Sequence, residues 1–142
     1  MAISAGAACP CGSGRKYKRC CRPLHEGKAA KNPEALMRSR YSAYALGLVE
    51  YILATTHPDS PLAKRDKLVW VGEVASFCQG TRFEGLEVRE ASAEGARGMV
   101  AFFVRLSAQG RDTSFGERSV FFRVGGRWLY HSGELLESRD LR

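Results

Sequence analysis

Residues 98–108, GMVAFFVRLSA, place an apolar side chain at every second position, with Val100, Phe102, Val104 and Leu106 forming one unbroken face. That alternation is the signature of a half-buried strand. Residues 119–124, SVFFRV, and 127–133, RWLYHSG, repeat the pattern and are separated by Gly125-Gly126, a tight-hairpin signal. Working toward the N-terminus, 85–92, GLEVREAS, and 68–77, LVWVGEVASF, complete a run of expected strands that begins at Leu68. Glu94-Gly95 and Gln109-Gly110 supply the turns between them.

Ahead of the strands the period changes. Asn32-Pro33-Glu34 reads as a helix start, with Asn32 as N-cap, Pro33 at the first helical position and Glu34 at the positive end of the dipole. The helix is expected to run to Leu46, with Gly47 ending it, and a second, LVEYILAT, to run over 48–55. Met37, Tyr41, Tyr44 and Leu48 fall at i, i+4, i+7 and i+11, a buried stripe. Helices followed by a strand meander imply an α+β fold, an antiparallel sheet packed on helices.

Four of the five cysteines lie within CPCGSGRKYKRCC, residues 9–21, spaced C-x-C-x8-C-C. Disulfides, a redox pair and a closed zinc site compete for this pattern. Adjacent Cys20 and Cys21 bridge only with strain, and C-x-C departs from the redox C-x-x-C. The spacing therefore points to structural Zn²⁺ held by Cys9, Cys11, Cys20 and Cys21. Gly12 and Gly14 allow a tight turn after the first pair. Arg15, Lys16, Lys18 and Arg19 offset the negative charge of four thiolates on zinc. His25 is a fallback ligand, otherwise a solvent-exposed loop histidine.

Residues 1–31 hold seven basic side chains against the single acidic Glu26, while the rest of the chain holds fifteen basic and fourteen acidic. The basic character thus belongs to the cysteine segment and suggests an anionic partner there. Arg15, Lys16, Lys18 and Arg19 could dock phosphates or acidic protein, and Tyr17 could stack on a base. The alternative is a solvated basic loop that balances the thiolates. No apolar run is long enough to span a membrane. The N-terminus lacks the basic and apolar regions of a secretory signal, so a reducing cytoplasm is the expected setting.

CPCGSGRKYKRCC resembles the SEC-C motif, a short zinc knuckle known from the bacterial protein-translocase ATPase. Many such motifs close with Cys-His; here Cys21 takes the histidine position. ALMRSRYSAYALG and YILATTHPD are similar to the opening of nuclear transport factor 2-like, cystatin-like domains, in which N-terminal helices lie in the concave face of a curved sheet. Together the two parts resemble the YchJ-type bacterial family over nearly the whole chain. The resemblance implies a zinc knuckle over 1–24, a linker over 25–31 and a cone-shaped domain over 32–142. It implies no reaction.

Two functions follow as expectations. In the first, the chain is an adaptor whose basic knuckle docks an acidic protein, the ribosome or RNA. SEC-C knuckles in the translocase associate with a chaperone and the ribosome. In the second, the cone pocket binds or transforms a small molecule, with the knuckle an accessory or purely structural. Arg38, Tyr41, Tyr44, His57, Arg118 and Trp128 are the candidate pocket residues. Each has a structural alternative: Tyr41 and Tyr44 as core, His57 as a hydrogen bond at a helix end, Trp128 as core wall beside Tyr130. Arg118 and Arg123 alternate across their strand, so one should face the concave side and bind an anion or pair with Glu117 or Glu73. Related enzymes carry a carboxylate in the loop that here reads PLAKRDK, where only Asp66 is available. Cys78 reads as a small buried hydrophobe. Cone domains often dimerise through the convex sheet face, which permits a homodimer.

Overall fold

The computed structural model describes residues 3–4 and 6–137. Helices α1 (Arg22–His25), α2 (Pro33–Leu46), α3 (Val49–Ala54) and α4 (Lys67–Gly80) precede strands β1 (Arg82–Glu94), β2 (Arg97–Ala108), β3 (Arg111–Asp112), β4 (Phe115–Val124) and β5 (Arg127–Leu135). All strand pairs are antiparallel in the order β1-β2-β4-β5, with β3 on β2. Register shifts at Phe83/Gly85, Val88/Glu90 and Val120/Phe121 add residues to one strand of a pair, which bends the sheet. The expected α+β class with helices in a curved sheet is the observed one.

Helix α2 begins as the sequence implies. Asn32 Oδ1 accepts from the Ala35 N–H at 2.7 Å, and Gly47 closes the helix in a left-handed conformation. Met37 and Tyr41 join Val100, Phe102, Val104, Leu106, Phe121 and Trp128 in the main core. The expected stripe is split, however. Tyr44 and Leu48 pack into a second cluster of Ala43, Ile52, Trp70 and Val74, which holds the helices to each other.

Residues 68–77 are a correction: the expected strand is helix α4. Trp70 and Val74 are 8% and 7% exposed while Leu68 and Val69 are 83% and 51% exposed, a spacing of four, not two. The decisive local signal is Asp66, whose Oδ1 accepts from the Val69 N–H at 3.1 Å and caps the first turn. An apolar run rich in valine does not by itself distinguish a strand from a helix segment.

Residues 25–31, expected as a linker, are tied down. His25 ends α1, and Arg127 Nη2 of β5 donates to the Gly27 carbonyl at 2.9 Å. No described helix is long and apolar enough to cross a membrane.

Candidate functional site

The N-terminal segment folds back on itself before α1. Ala8 bridges Lys16, the Cys9 N–H donates to the Arg15 carbonyl at 2.9 Å, and the Tyr17 N–H donates to the Ala7 carbonyl at 2.8 Å. Gly12 and Gly14 take φ of 77° and 85°, the left-handed turn expected after the first cysteine pair. A single 3-10 turn, Tyr17–Arg19, then delivers Cys20 and Cys21 to the same point.

There the Sγ atoms of Cys9, Cys11, Cys20 and Cys21 all lie within 4.8 Å of one another. Cys11 Sγ stands 3.6 Å from Cys20 Sγ, and Cys20 Sγ 4.0 Å from Cys21 Sγ. Four thiolates around one ion at about 2.3 Å require edges of about 3.8 Å, so the donor set fits a tetrahedral cation. All five cysteines are free in this structure. Without a cation the thiols cannot ionise together. Cys21 and Cys9 hydrogen-bond to a Cys11 thiolate, which lowers Cys11. The same bonds to Cys11 raise Cys21, and Cys9 is pushed up to about 11. A bound cation would relieve that mutual exclusion.

Cys9, Cys11 and Cys21 are buried and belong to the same core cluster as Leu36, Val100 and Trp128. Two polar contacts reinforce the joint. Arg38, paired with Glu34 at 2.9 Å, donates through Nη1 to the Cys11 carbonyl at 3.0 Å. His25 is the second, and here the structure departs from the exposed loop histidine expected. Its Nδ1 lies 2.7 Å from the Tyr17 hydroxyl and its Nε2 lies 2.8 Å from the Ser39 carbonyl. The histidine is therefore neither exposed nor a ligand.

Of the residues expected to meet a partner, Arg15, Lys16, Lys18 and Arg19 are exposed. Tyr17 is not: its ring is buried and its hydroxyl is engaged, so it offers no platform to a base. Arg15 Nη2 donates to the Arg19 carbonyl at 2.5 Å, which holds the Arg15 side chain against the 3-10 turn. A groove beside them, between knuckle and α2, is lined by Arg15, Arg19, Lys28, Lys31 and Arg38 against the single acidic Glu34.

The six pocket candidates are not brought together. Tyr41 and Tyr44 do line a cavity of about 270 Å³ under the helices. Burial raises both phenols. Arg38 instead faces the cysteine loop. His57 packs edge-on to Phe122 and His131 at 6.0 and 5.5 Å, and its Nδ1 accepts from the Asp59 N–H at 2.9 Å. Arg118 alternates with Glu117 and Ser119, which line the cavity, and so falls on the opposite face. Trp128 is core, while its neighbour Tyr130 walls the cavity. Asp66 is an exposed helix cap, and Glu73 pairs with Arg65 at 2.7 Å. Cys78 is half-buried, and desolvation pushes its thiol up, as suits a packing residue.

Arg40, which the sequence groups with Arg38, Tyr41, Tyr44 and His57 around the helices, does line the cavity, whereas sequence reasoning passed over Ser119 and treated Glu117 only as an ion-pair partner. A signal existed. Glu117 and Ser119 are polar at alternate positions of a strand face whose other members, Phe115 and Phe121, are aromatic.

Residues 32–133 match the family model described as the YchJ middle NTF2-like domain, and residues 7–23 match the SEC-C motif. A UPF0225 protein of Chromobacterium violaceum is 44% identical over 133 residues, covering 91% of this chain and 93% of its own length. One from Deinococcus radiodurans is 40% identical over 124 residues, 86% of this chain and 85% of its own. Among solved structures, a SEC-C motif containing protein from Rhodopseudomonas palustris is 40% identical with a TM-score of 0.79, covering 91% of this chain and 98% of that one.

Proposed function

From the premise that this chain belongs to the YchJ family, an NTF2-like domain joined to a SEC-C motif, we propose that it is an adaptor built around a structural zinc ion. Zinc is the ion that a closed set of four thiolates selects, since thiolates are soft and tetrahedral geometry costs a filled d-shell nothing. With every coordination position taken by sulfur, the ion shapes the segment and activates no substrate.

The observation that carries the adaptor reading is the exposure of Arg15, Lys16, Lys18 and Arg19 around the buried cysteines. The ion and the core hold the backbone, so four cations stand on a rigid base and lose little entropy on docking. The partner is an anionic macromolecule: acidic protein, ribosome or RNA. With Tyr17 turned inward, recognition rests on charge rather than on base stacking, which favours an acidic protein face or a phosphate backbone.

Cosedimentation of the purified chain with ribosomes, and pull-down from bacterial lysate, test this at low salt and at about 0.3 M salt. Wild type should be retained at low salt and released at high salt. A variant with Arg15, Lys16, Lys18 and Arg19 all changed to Ala should lose at least tenfold in affinity while keeping its metal. Equal retention of that variant at low salt would end the adaptor reading.

A further inference from the structure

The cavity under the helices holds a carboxylate that neither the knuckle nor the basic surface uses. Its walls are chiefly aromatic, and Phe77, 39% exposed, stands at its edge with its ring against Tyr44 and Phe83 at 5.4 and 5.6 Å. Into this apolar space β4 projects Glu117. Its Oε2 accepts from the Ser119 hydroxyl at 2.5 Å and from the Tyr130 hydroxyl at 3.4 Å. Ser119 itself is 1% exposed. Gly133 on β5 keeps the room for this group, since a β-carbon there would collide with the Glu117 carboxylate.

No described cationic side chain forms an ion pair with Glu117. The other charged group in the wall, Arg40, is committed elsewhere. Its Nη1 donates to the Ile52 carbonyl at 3.0 Å and to the hydroxyls of Thr55 and Thr56 at 2.7 and 3.2 Å. Its guanidinium lies 4.7 Å over the Tyr130 ring. Both bonds to Glu117 meet at one oxygen, which leaves Oε1 without a donor among the described residues. A carboxylate can only accept, and one that faces apolar walls is stabilised by a donor brought to it.

We propose that this cavity is a binding site for a small, largely apolar ring compound that donates one hydrogen bond, from a hydroxyl or amino group, to Glu117. The volume, about 270 Å³, lies just under the roughly 300 Å³ at which typical ligand pockets begin, so a single substituted ring is the size that fits. The aromatic walls take the ring, and Glu117 sets its orientation. An anionic ligand is disfavoured, because its charge meets that of Glu117.

The test is a titration of the full-length protein followed by backbone amide shifts, with three probes of one shape: 4-ethylphenol, its methyl ether and 4-ethylbenzoate. The phenol should give saturable shifts in α2 and β4, and the ether should bind at least tenfold more weakly. Glu117→Gln should bring the two affinities within about threefold of each other. Should that variant fail to fold, the phenol-to-ether ratio in wild type decides alone. Absence of saturable shifts in α2 and β4 with all three probes overturns the proposal. So does an ether that binds as tightly as the phenol, or a benzoate that binds tightest.

Discussion

His25 Nε2 lies 2.8 Å from the backbone carbonyl of Ser39, fourteen residues on in helix α2. A carbonyl can only accept, so Nε2 carries the hydrogen and Nδ1 accepts from the Tyr17 hydroxyl. One neutral imidazole thus joins the cysteine segment to the cone.

That tautomer has a pH consequence. Burial holds the His25 imidazole below its ordinary 6.5. The unfolded chain then takes up this proton at a higher pH than the folded one. The stabilisation is full above about pH 6.5 and is lost as pH falls through that value toward the folded one. Thermal unfolding of the metal-loaded protein between pH 7.5 and 5.5 should show a smaller fall in melting temperature for His25→Gln than for wild type. Parallel curves would show that the imidazole has no part in the acid sensitivity.

Removing a ligand should be felt far from the metal. Cys11→Ser leaves an incomplete donor set inside a core shared with Val100 and Trp128. Loss of metal is expected, with a destabilisation of several kcal/mol and roughly 3 °C of melting temperature per kcal/mol. Elemental analysis and calorimetry check both. A cone that melts at the wild-type temperature without its metal would show the two parts to be uncoupled.

Arg40 is 5% exposed and satisfies three oxygens through one nitrogen. Arg40→Ala takes a buried charged donor from the Ile52 carbonyl and the two threonine hydroxyls, which keep only their local bonds at the end of α3, and removes the stack on Tyr130. A loss of about 3 kcal/mol in urea unfolding is expected. Arg40→Lys should recover less than half of it, because an ammonium lacks the planar face that lies over the ring.

The register of α4 gives a direct contrast. Trp70→Ala empties a buried site and should cost about 3–4 kcal/mol, whereas Val69→Lys, on the exposed face, should change stability by no more than about 0.5 kcal/mol. Val74→Ala should cost about 2 kcal/mol in either geometry, but a strand would also bury Leu68 on the face of Trp70, whereas in the helix Leu68 is 83% exposed and Leu68→Lys should cost no more than about 0.5 kcal/mol.

Legibility in the sequence followed the range of each interaction. The alternation of Val100, Phe102, Val104 and Leu106, the Asn32-Pro33 start and the Gly125-Gly126 turn are local, and each formed where it was read. The four cysteines were readable because ligand spacing is also local. Helix α4 was misread because its apolar run fits either period, and the Asp66 cap that settles it is one residue. Tyr17 and His25 were misplaced for a different reason. Tyr17 bonds to His25, and His25 in turn bonds to a carbonyl in helix α2, which no local window of sequence contains. The cavity residues depended on the register shift at Val120/Phe121, which sets which side chains of β5 meet those of β4.

The bond from Arg127 to the Gly27 carbonyl closes a loop between the two ends of the chain, and Trp128 seals the core in which the cysteines sit. On a ribosome the thiols of residues 9–21 emerge before β5, whose Trp128 shares their core. The nascent chain must therefore carry its soft donors uncovered through most of synthesis. The four ligands lie within residues 9–21 and can take an ion early, whereas burial of the loaded site waits for β5.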